Sequence, residues 1–357
     1  MVDERIDRCC PEYPNIVESR IVYDNNGKTL ISTFYTNLFQ ENYRMKRITQ
    51  CFLALVIMAG GSLVSAYAQS ACTRDGLKGI IGQYFTALEA HNPSSLPLAA
   101  KVKFTENGVE MPVGEGFIKT AGKTLLKRDL IDTDKCGTHS NVVIEEKYTA
   151  PKTPAAPAAK ASPFASLSAK PPAEGTVRPI LYGVRLKVEN QKITEIESFV
   201  ARETEFAFNA ANVLETKDQD WESIIPVEQR SSRLAMIAAA DDYYDMFADN
   251  PKVHSPFAAV CDRWENGFWT TKGGGTMGGV KMTAHDCSPK GLVITNHGPR
   301  RFLVDVEAGT VVAYVHFTGS LPDFHVFRMR NGKVDIIQAV IGASAKSMGW
   351  PNEPICK

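Results

Sequence analysis

The chain has 357 residues, more than one ordinary domain requires and about right for two domains with additional segments. Its apolar fraction of 44% is that of a globular protein with sizeable cores. The 40 basic residues balance the 40 acidic ones, and this neutrality argues against a nucleic-acid partner, which would need a basic surface. Zinc-ligand spacings, phosphate-binding glycine loops and Gly-x-Ser-x-Gly elbows are absent from the sequence, so we expect no metal and no cofactor.

The first signal in chain order is a targeting segment at residues 45–68. It begins with two basic residues, continues with an apolar stretch and ends in an Ala-x-Ala site, as signal peptides do. We therefore predict that residues 1–44 are a mis-assigned extension and that the mature chain begins near Gln69. It would be secreted or periplasmic, with no membrane contact after cleavage. An uncleaved signal anchor is the alternative, because the apolar stretch is just long enough to span a bilayer.

Export places the mature chain in an oxidising compartment, where cysteines form disulfides. Eight cysteines are encoded, and five of them follow the predicted cleavage site. We expect one disulfide in each half of the chain, Cys72–Cys136 and Cys261–Cys287. This pairing leaves Cys356 without an assigned partner.

Three segments recur in the same order, which indicates an internal duplication. IIGQYFTALEAHNPSSLPLAAKVKFTENG matches AADDYYDMFADNPKVHSPFAAVCDRWENG with one residue of slippage. DKCGTHS matches HDCSPKG, and VRLKVENQKITEIESF matches HVFRMRNGKVDIIQAV. The predicted domains are residues 69–216 and 232–357, joined by a linker at 217–231. The first domain contains a stretch rich in Ala, Pro and Ser at 150–176, which we expect to be a disordered insertion.

Each copy is predicted to contain a helix, a short helix, a strand and several further strands. Apolar residues recur at helical spacing at the start of both copies. Asn190-Gln191 and Asn331-Gly332 are typical of tight hairpin turns. Helices followed by a curved antiparallel sheet make an α+β arrangement. The residues expected on the buried helix faces are Leu77, Ile80, Ile81, Tyr84, Phe85 and Leu88 in the first copy and Leu234, Ile237, Ala238 and Ala240 in the second.

Three stretches, QYFTALEAHNPSSL, TENG and FRMRNGKVDIIQAVIG, resemble the ketosteroid-isomerase-like, or SnoaL-like, superfamily that includes nuclear transport factor 2. The duplicated form is also similar to an uncharacterised secreted family of fungi and bacteria. The resemblance implies two tandem cone-shaped domains, in each of which a curved sheet wraps an apolar pocket closed by helices. It implies a small, largely apolar organic ligand, and a homodimer unless the two copies satisfy that contact within one chain.

The resemblance also implies roles for residues of the first copy. In the isomerases a helix tyrosine donates to the oxyanion, a carboxylate at the end of the first strand moves the proton, and a second acidic donor begins a late strand. Tyr84 and Glu106 stand at the first two of these positions, and Val184 stands at the third. Because one donor is missing, we expect the first copy mainly to support the second.

In the second copy, Asp242 is expected in place of the tyrosine, Glu265 keeps the carboxylate and His325 takes the third position. Arg263 lies two residues before Glu265, so both side chains point to one face of a strand and are expected to form an ion pair. We predict that Glu265 is a base oriented by Arg263, with His325 and Asp242 as donor or shuttle. Since Glu-Asn-Gly also suits a strand-end turn, a purely conformational role is the alternative.

Five residues are predicted to contact the ligand: Tyr84, Glu106, Trp264, Tyr314 and His316. For Trp264 the alternative is that it packs the two copies together. The predicted activity is that of a cofactor-independent isomerase, dehydratase or other lyase. The alternative is a non-catalytic ligand-binding, accessory or structural module, because one fold hosts many functions.

Overall fold

The computed structural model describes most of the chain from Cys72 to Pro351, together with the backbone of two short strands near the N-terminus. Those strands, β1 (Val22–Tyr23) and β2 (Thr29–Leu30), pair antiparallel in a unit made of residues 1–66 and 354–357. Every other described element belongs to the unit of residues 67–353. Within 72–351 the description omits residues 151–171, 204, 249–251, 278–279, 290 and 295–296.

Several predicted features lie outside the described residues. These are the signal peptide at 45–68, the cleavage site near Gln69, Cys356 and most of the insertion at 150–176. No helix among the described residues is both long and apolar enough to cross a membrane.

The first copy, which we call the first cone, combines one long helix with a six-stranded sheet. Helix α1 (Arg74–Glu89) is followed by a 3-10 turn at Pro93–Ser95. The sheet has the order β4-β3-β8-β7-β6-β5. Its strands are β3 (Leu98–Glu106), β4 (Val109–Glu110), β5 (Ala121–Asp132), β6 (Gly137–Lys147), β7 (Val177–Glu189) and β8 (Lys192–Ala201).

The second copy, the second cone, repeats this plan after the short helix α2 (Ala210–Leu214). Helix α3 (Arg233–Asp245) and a 3-10 turn at Met246–Ala248 precede a sheet of order β10-β9-β16-β15-β14-β13. Strands β11 (Thr276–Met277) and β12 (Val280–Lys281) form a separate hairpin. The sheet strands are β9 (Phe257–Glu265), β10 (Phe268–Trp269), β13 (Arg301–Asp305), β14 (Thr310–Phe317), β15 (Leu321–Arg330) and β16 (Lys333–Ile341).

The α+β class and the two-domain duplication predicted from the sequence are therefore confirmed. Each sheet is mixed, however, because its first long strand pairs parallel with its last strand: β3 with β8, and β9 with β16. The chain changes direction three times between β5 and β8, because these four strands pair antiparallel in succession. Strand β8 therefore lies beside β3 and runs in the same direction. Both predicted hairpin turns are present, since Asn190, Gln191, Asn331 and Gly332 all have positive φ, as a tight β-hairpin turn requires.

The buried face of α1 is the predicted one, whereas that of α3 is only partly so, since Ile237 and Ala240 are buried as expected. All six apolar residues expected on α1 are buried. On α3, Leu234 is 64% exposed and Ala238 is exposed, whereas Met236, Tyr243 and Tyr244 are buried. Alanines on several sides of α3 blur its apolar periodicity, and this ambiguity explains the error.

The repeated Glu-Asn-Gly forms the same turn in both cones. Asn107 has a φ of 45°, and its side-chain amide donates to Val200 O at 3.0 Å and accepts from Val200 N at 2.9 Å. Asn266, also at 45°, makes the same two bonds with Ile341, at 2.9 and 2.7 Å. The asparagine thus ties the end of the first long strand to the end of the last strand.

The outer faces of the two sheets pack against each other and bury a third core between the cones. Leu130, Leu181 and Phe199 of the first sheet meet Val312, Phe324 and Val340 of the second. At Gly183 a Cβ atom would lie 2.0 Å from the Phe324 ring, so the sheets approach closely only because this residue is glycine.

Two reciprocal ion pairs link the cones. Arg74, the first residue of α1, donates two hydrogen bonds to Asp305 at the end of β13, at 2.8 and 2.9 Å. Arg233, the first residue of α3, donates two to Asp132 at the end of β5, at 2.8 and 2.6 Å. Both carboxylates are buried. Each helix therefore begins on the sheet of the other copy.

The segment that follows the last strand of each cone contacts the other cone in the same reciprocal way. Trp350, beyond the second cone, donates to Thr105 Oγ1 of the first at 2.8 Å. Asn209, beyond the first cone, donates from its backbone N–H to Asn266 O of the second at 2.7 Å. A Cβ atom on Gly267, which has a φ of 82°, would lie 1.9 Å from Asn209 O. The contact therefore needs glycine for space and for backbone conformation.

Both predicted disulfides are present. Cys72–Cys136 ties the start of α1 to the β5–β6 turn, and Cys261–Cys287 ties β9 to the loop after β12. Both fit an extracellular location.

Candidate functional site

The interior of the second cone contains a cluster of polar and ionisable side chains. In β9, Cys261, Arg263 and Glu265 face inward, because side chains alternate between the faces of a strand. Two tyrosines of α3 and two residues of β15 complete the group. We define the second-cone cluster as Tyr243, Tyr244, Arg263, Glu265, Asp323 and His325.

Arg263 is fully buried, and its side chain is hydrogen-bonded to residues of the second cone. Its Nε lies 3.1 Å from Glu265 Oε1, which is the ion pair expected from the sequence. Nε also donates to Thr270 Oγ1 at 2.9 Å. Nη1 donates to Tyr243 Oη at 3.0 Å and to Cys287 O at 3.1 Å. These bonds hold the guanidinium, and with it the Glu265 carboxylate, in one position.

Asp323 and His325 form a second hydrogen-bonded pair on the same face of β15. Asp323 Oδ1 and His325 Nδ1 are 2.9 Å apart, and both side chains are buried. Burial raises the pKa of Asp323, although the neighbouring imidazole acts in the opposite direction. A carboxyl group and an imidazole at this distance can share one proton, so the pair can accept or release it.

Three polar atoms of the cluster are buried without a hydrogen-bond partner among the described residues: Arg263 Nη2, Tyr244 Oη and Asp323 Oδ2. Burial, and then the Asp323 carboxylate, raise the pKa of Tyr244 well above its usual value, so its hydroxyl stays protonated. An unsatisfied buried polar atom costs about 1–3 kcal/mol. The second cone therefore retains hydrogen-bonding capacity that its own described residues do not use.

In the first cone, by contrast, the polar groups satisfy one another. Tyr84 Oη and Tyr182 Oη are 2.6 Å apart, and Glu106 Oε2 accepts from the Phe117 N–H at 2.9 Å. Burial raises the pKa of Glu106, against the opposing effects of that hydrogen bond and of the charge on Arg202. These groups line a cavity of about 20 Å³, which is room for about one water molecule.

Three of the residues predicted to contact ligand lie away from the cone interiors. Trp264 stacks on Trp269 with ring centroids 5.3 Å apart and belongs to the core between the sheets, as its alternative interpretation states. Tyr314 belongs to the same core, and its hydroxyl lies 3.0 Å from His139 Nδ1 of the first cone. His316 Nε2 lies 3.0 Å from Ala345 O.

The residue equivalent to Tyr84 is Tyr243, not Asp242. The N-caps Thr73 and Ser232 precede the two tyrosines by the same 11 positions. Asp242 is only half-buried and lies about 100° round the helix from Tyr243. The one-residue slip in the repeat comparison caused this error.

Besides Tyr243, three residues of the cone interiors were not predicted from the sequence, namely Tyr182, Tyr244 and Asp323. Tyr182 and Asp323 occupy equivalent positions, each two residues before the predicted third site residue of its cone. Side chains alternate between the two faces of β7 and β15, so residues two apart share a face. This alternation predicts both residues once the third site residue is placed. Tyr244 would have followed from the correct alignment of α3 with α1.

Metal ligation has no candidate among the residues the structure describes, since none of their His, Cys, Asp and Glu side chains form a group of three or more suited to a metal ion.

Comparison with known proteins gives a family model and a set of similar folds. A model described as a domain of unknown function (DUF8021) matches residues 229–341. No curated protein matches the chain.

Similar solved structures include putative polyketide cyclases from Silicibacter sp. and Pseudomonas putida. The first is 14% identical, with 35% of this chain and 89% of that chain covered and a TM-score of 0.27. The second is 12% identical, with 36% and 93% covered and a TM-score of 0.28. A Catenulispora acidiphila protein, described as having a ketosteroid isomerase-like fold and bound to trimethylamine, is 12% identical, with 35% and 87% covered and a TM-score of 0.21.

Proposed function

We propose that the second cone binds a small, largely apolar organic molecule through an oxygen function and moves a proton on it, as an isomerase or lyase does. The observation that carries this proposal is the set of three buried polar atoms without described partners, next to two carboxylates and a histidine. Protein interiors rarely leave such groups unsatisfied, and their occurrence at one place is typical of a functional site.

Each residue of the cluster has a role in this proposal. Glu265 abstracts the proton, and Arg263 holds the carboxylate in place through the 3.1 Å contact. The proton taken up by Glu265 returns to another atom of the substrate or to the leaving group through the Asp323–His325 pair, and the Tyr244 hydroxyl donates to the developing negative charge on the substrate oxygen. The protein acts outside the cytoplasm, which suits its two disulfides.

Deuterium exchange at an activated carbon tests the proposal directly. The chain is incubated with 2-tetralone in D₂O, and loss of the proton signal next to the carbonyl is followed by NMR. We expect exchange faster than in buffer, and we expect Glu265→Gln to abolish the acceleration, because an amide cannot act as a base. Glu106→Gln is the matched control, since it changes the equivalent carboxyl group of the first cone.

If Glu265→Gln exchanges as fast as the unaltered chain, Glu265 is not the base. If 2-tetralone binds to both proteins without any exchange, the second cone is a non-catalytic binding module, which is the alternative function.

A further inference from the structure

The Asn-Gly pairs of the two cones differ in how their asparagine side chains are held. The sequence contains four such pairs, of which Asn26-Gly27 lies outside the described residues. We propose that Asn331-Gly332 is a site of spontaneous deamidation, at which asparagine converts to aspartate and isoaspartate, whereas the fold protects Asn107 and Asn266. The proposal is independent of the proposed function, because it concerns an exposed turn and not the second-cone cluster.

Deamidation joins the side chain of an asparagine to the backbone that follows it. The backbone nitrogen of the next residue loses its proton to base and attacks the side-chain carbonyl carbon, Cγ. Ammonia leaves as the C–N bond of the amide breaks and a cyclic imide forms. Water then opens either side of the imide, which gives aspartate or isoaspartate without any oxidant or reductant. A following glycine favours the attack, because it has no Cβ atom to obstruct it.

Backbone conformation does not distinguish the three described pairs. The φ angles are 45° at Asn107, 45° at Asn266 and 51° at Asn331, and the glycines that follow have φ angles of 76°, 82° and 72°. In each pair the asparagine must leave this turn conformation before Cγ can reach the next nitrogen. Differences in rate must therefore come from the contacts of the side chain and from the room around the turn.

The side-chain amides of Asn107 and Asn266 are held at both ends. Asn107 donates to Val200 O at 3.0 Å and accepts from Val200 N at 2.9 Å. Asn266, which is fully buried, makes the same bonds with Ile341 at 2.9 and 2.7 Å. Closure of the imide ring would break both hydrogen bonds and leave backbone groups of the last strand without partners, which is unfavourable inside a protein.

The glycines of the protected pairs are also enclosed by neighbouring backbone. A Cβ atom on Gly108 would lie 2.1 Å from Ser347 O, and one on Gly267 would lie 1.9 Å from Asn209 O. At Gly332, by contrast, an added Cβ atom would have no heavy atom within 4 Å among the described residues. The turn at Gly332 therefore has space to rearrange, and the other two turns do not.

Asn331 lies at the exposed tip of the hairpin between β15 and β16. Asn331, Gly332 and Lys333 are all exposed, and the last pair of the ladder joins Arg330 to Lys333. Neither the Asn331 side chain nor the Gly332 N–H is hydrogen-bonded to another residue that the structure describes. Such a tip opens at a low free-energy cost compared with a packed strand end, so Cγ can reach the attacking nitrogen.

The products would change the hairpin in two ways. Each replaces a neutral amide by a carboxylate between Arg330 and Lys333. Isoaspartate also inserts one methylene group into the main chain, and a two-residue turn no longer matches the two strands that it joins. Because Arg330 donates to Ala308 O at 2.9 Å, a disturbed tip also affects the turn between β13 and β14.

Peptide mapping by mass spectrometry tests the proposal on the folded, whole chain. The protein is kept in mildly alkaline heavy-oxygen water, sampled over several weeks and digested in acid. Each conversion in the labelled water incorporates a heavy oxygen atom, which separates it from conversion during digestion. We expect Asn331 to convert at least about tenfold faster than Asn107 or Asn266, because two hydrogen bonds must break at each of these residues.

The same chain unfolded in urea is the control. The three pairs should then convert at similar rates, since each has glycine as its next residue and no fold remains to protect it. Conversion of Asn107 or Asn266 as fast as that of Asn331 in the folded chain overturns the proposal. An equal spread of rates in the folded and unfolded chains also overturns it, because the neighbouring sequence and not the fold would then set the rates.

Discussion

Glu197 provides the sharpest test of how the two cones are held together. Its side chain is 1% exposed, and it accepts from Arg301 of the second cone at 2.9 and 2.5 Å and from Arg185 of the first at 2.8 Å. Glu197→Gln keeps the shape of the side chain but leaves two buried guanidinium groups facing a neutral amide. Removing one partner of a buried ion pair costs about 3–5 kcal/mol.

Urea unfolding followed by tryptophan fluorescence measures this cost. With an m-value of about 3 kcal/mol/M, the midpoint should fall by roughly 1–1.7 M. Glu195→Gln is the matched control: Glu195 also contacts Arg185, at 2.8 Å, but its side chain is 23% exposed. Because Glu195 is partly exposed and Arg185 keeps its contact with Glu197 in this variant, the loss should be smaller, about 1 kcal/mol.

The pH dependence of the same variant gives an independent check. Burial alone would raise the pKa of Glu197, but Arg301 and Arg185 overcome that effect and lower it. A carboxyl group with a lowered pKa stabilises the fold at neutral pH, and this contribution disappears as the pH falls through the lowered value. The two proteins should therefore converge in stability in acid. Equal losses for the Glu197 and Glu195 variants at neutral pH would refute the reasoning.

Three further predictions concern other parts of the fold. Burial raises the pKa of Glu106 above 4.5, so the unaltered chain loses stability as the pH rises through the raised value. At about pH 8, thermal unfolding should therefore show that Glu106→Gln is the more stable protein. Gly183→Ala should lower the free energy of unfolding by about 1–3 kcal/mol, and Phe324→Leu should restore part of it, since the added Cβ meets the Phe324 ring. Replacing Cys72 and Cys136 by serine should cost about 4 kcal/mol in urea unfolding, because the disulfide joins residues 64 apart; a loss below about 1 kcal/mol would contradict this.

Local patterns predicted much of this fold. The spacing of apolar residues placed the buried face of α1, and the repeated Glu-Asn-Gly and the cysteines revealed the duplication and the disulfides. Alternation along β9 predicted the contact between Arg263 and Glu265. These features depend on residues close in sequence or on composition that recurs in both copies.

Contacts distant in the chain escaped prediction. Asp323 was missed because a single aspartate in a strand resembles an exposed residue until the sheet encloses it. The inward role of Tyr243 was lost through one residue of slippage in an alanine-rich helix. The pairing of Arg74 with Asp305 spans 231 residues, and nothing in the sequence distinguishes these two from other surface charges.

The reciprocal Arg74–Asp305 and Arg233–Asp132 pairs each join one copy to the other. A single copy cut from the chain would therefore lack charge partners that it has in the whole protein. A fragment that ends at the boundaries of the matched family model, residues 229–341, would keep Asp305 and lose the arginine that neutralises it. Loss of the arginine at the start of one helix leaves an unpaired, buried carboxylate in the sheet of the other copy. The two copies therefore depend on each other for the charge balance of their buried strand ends.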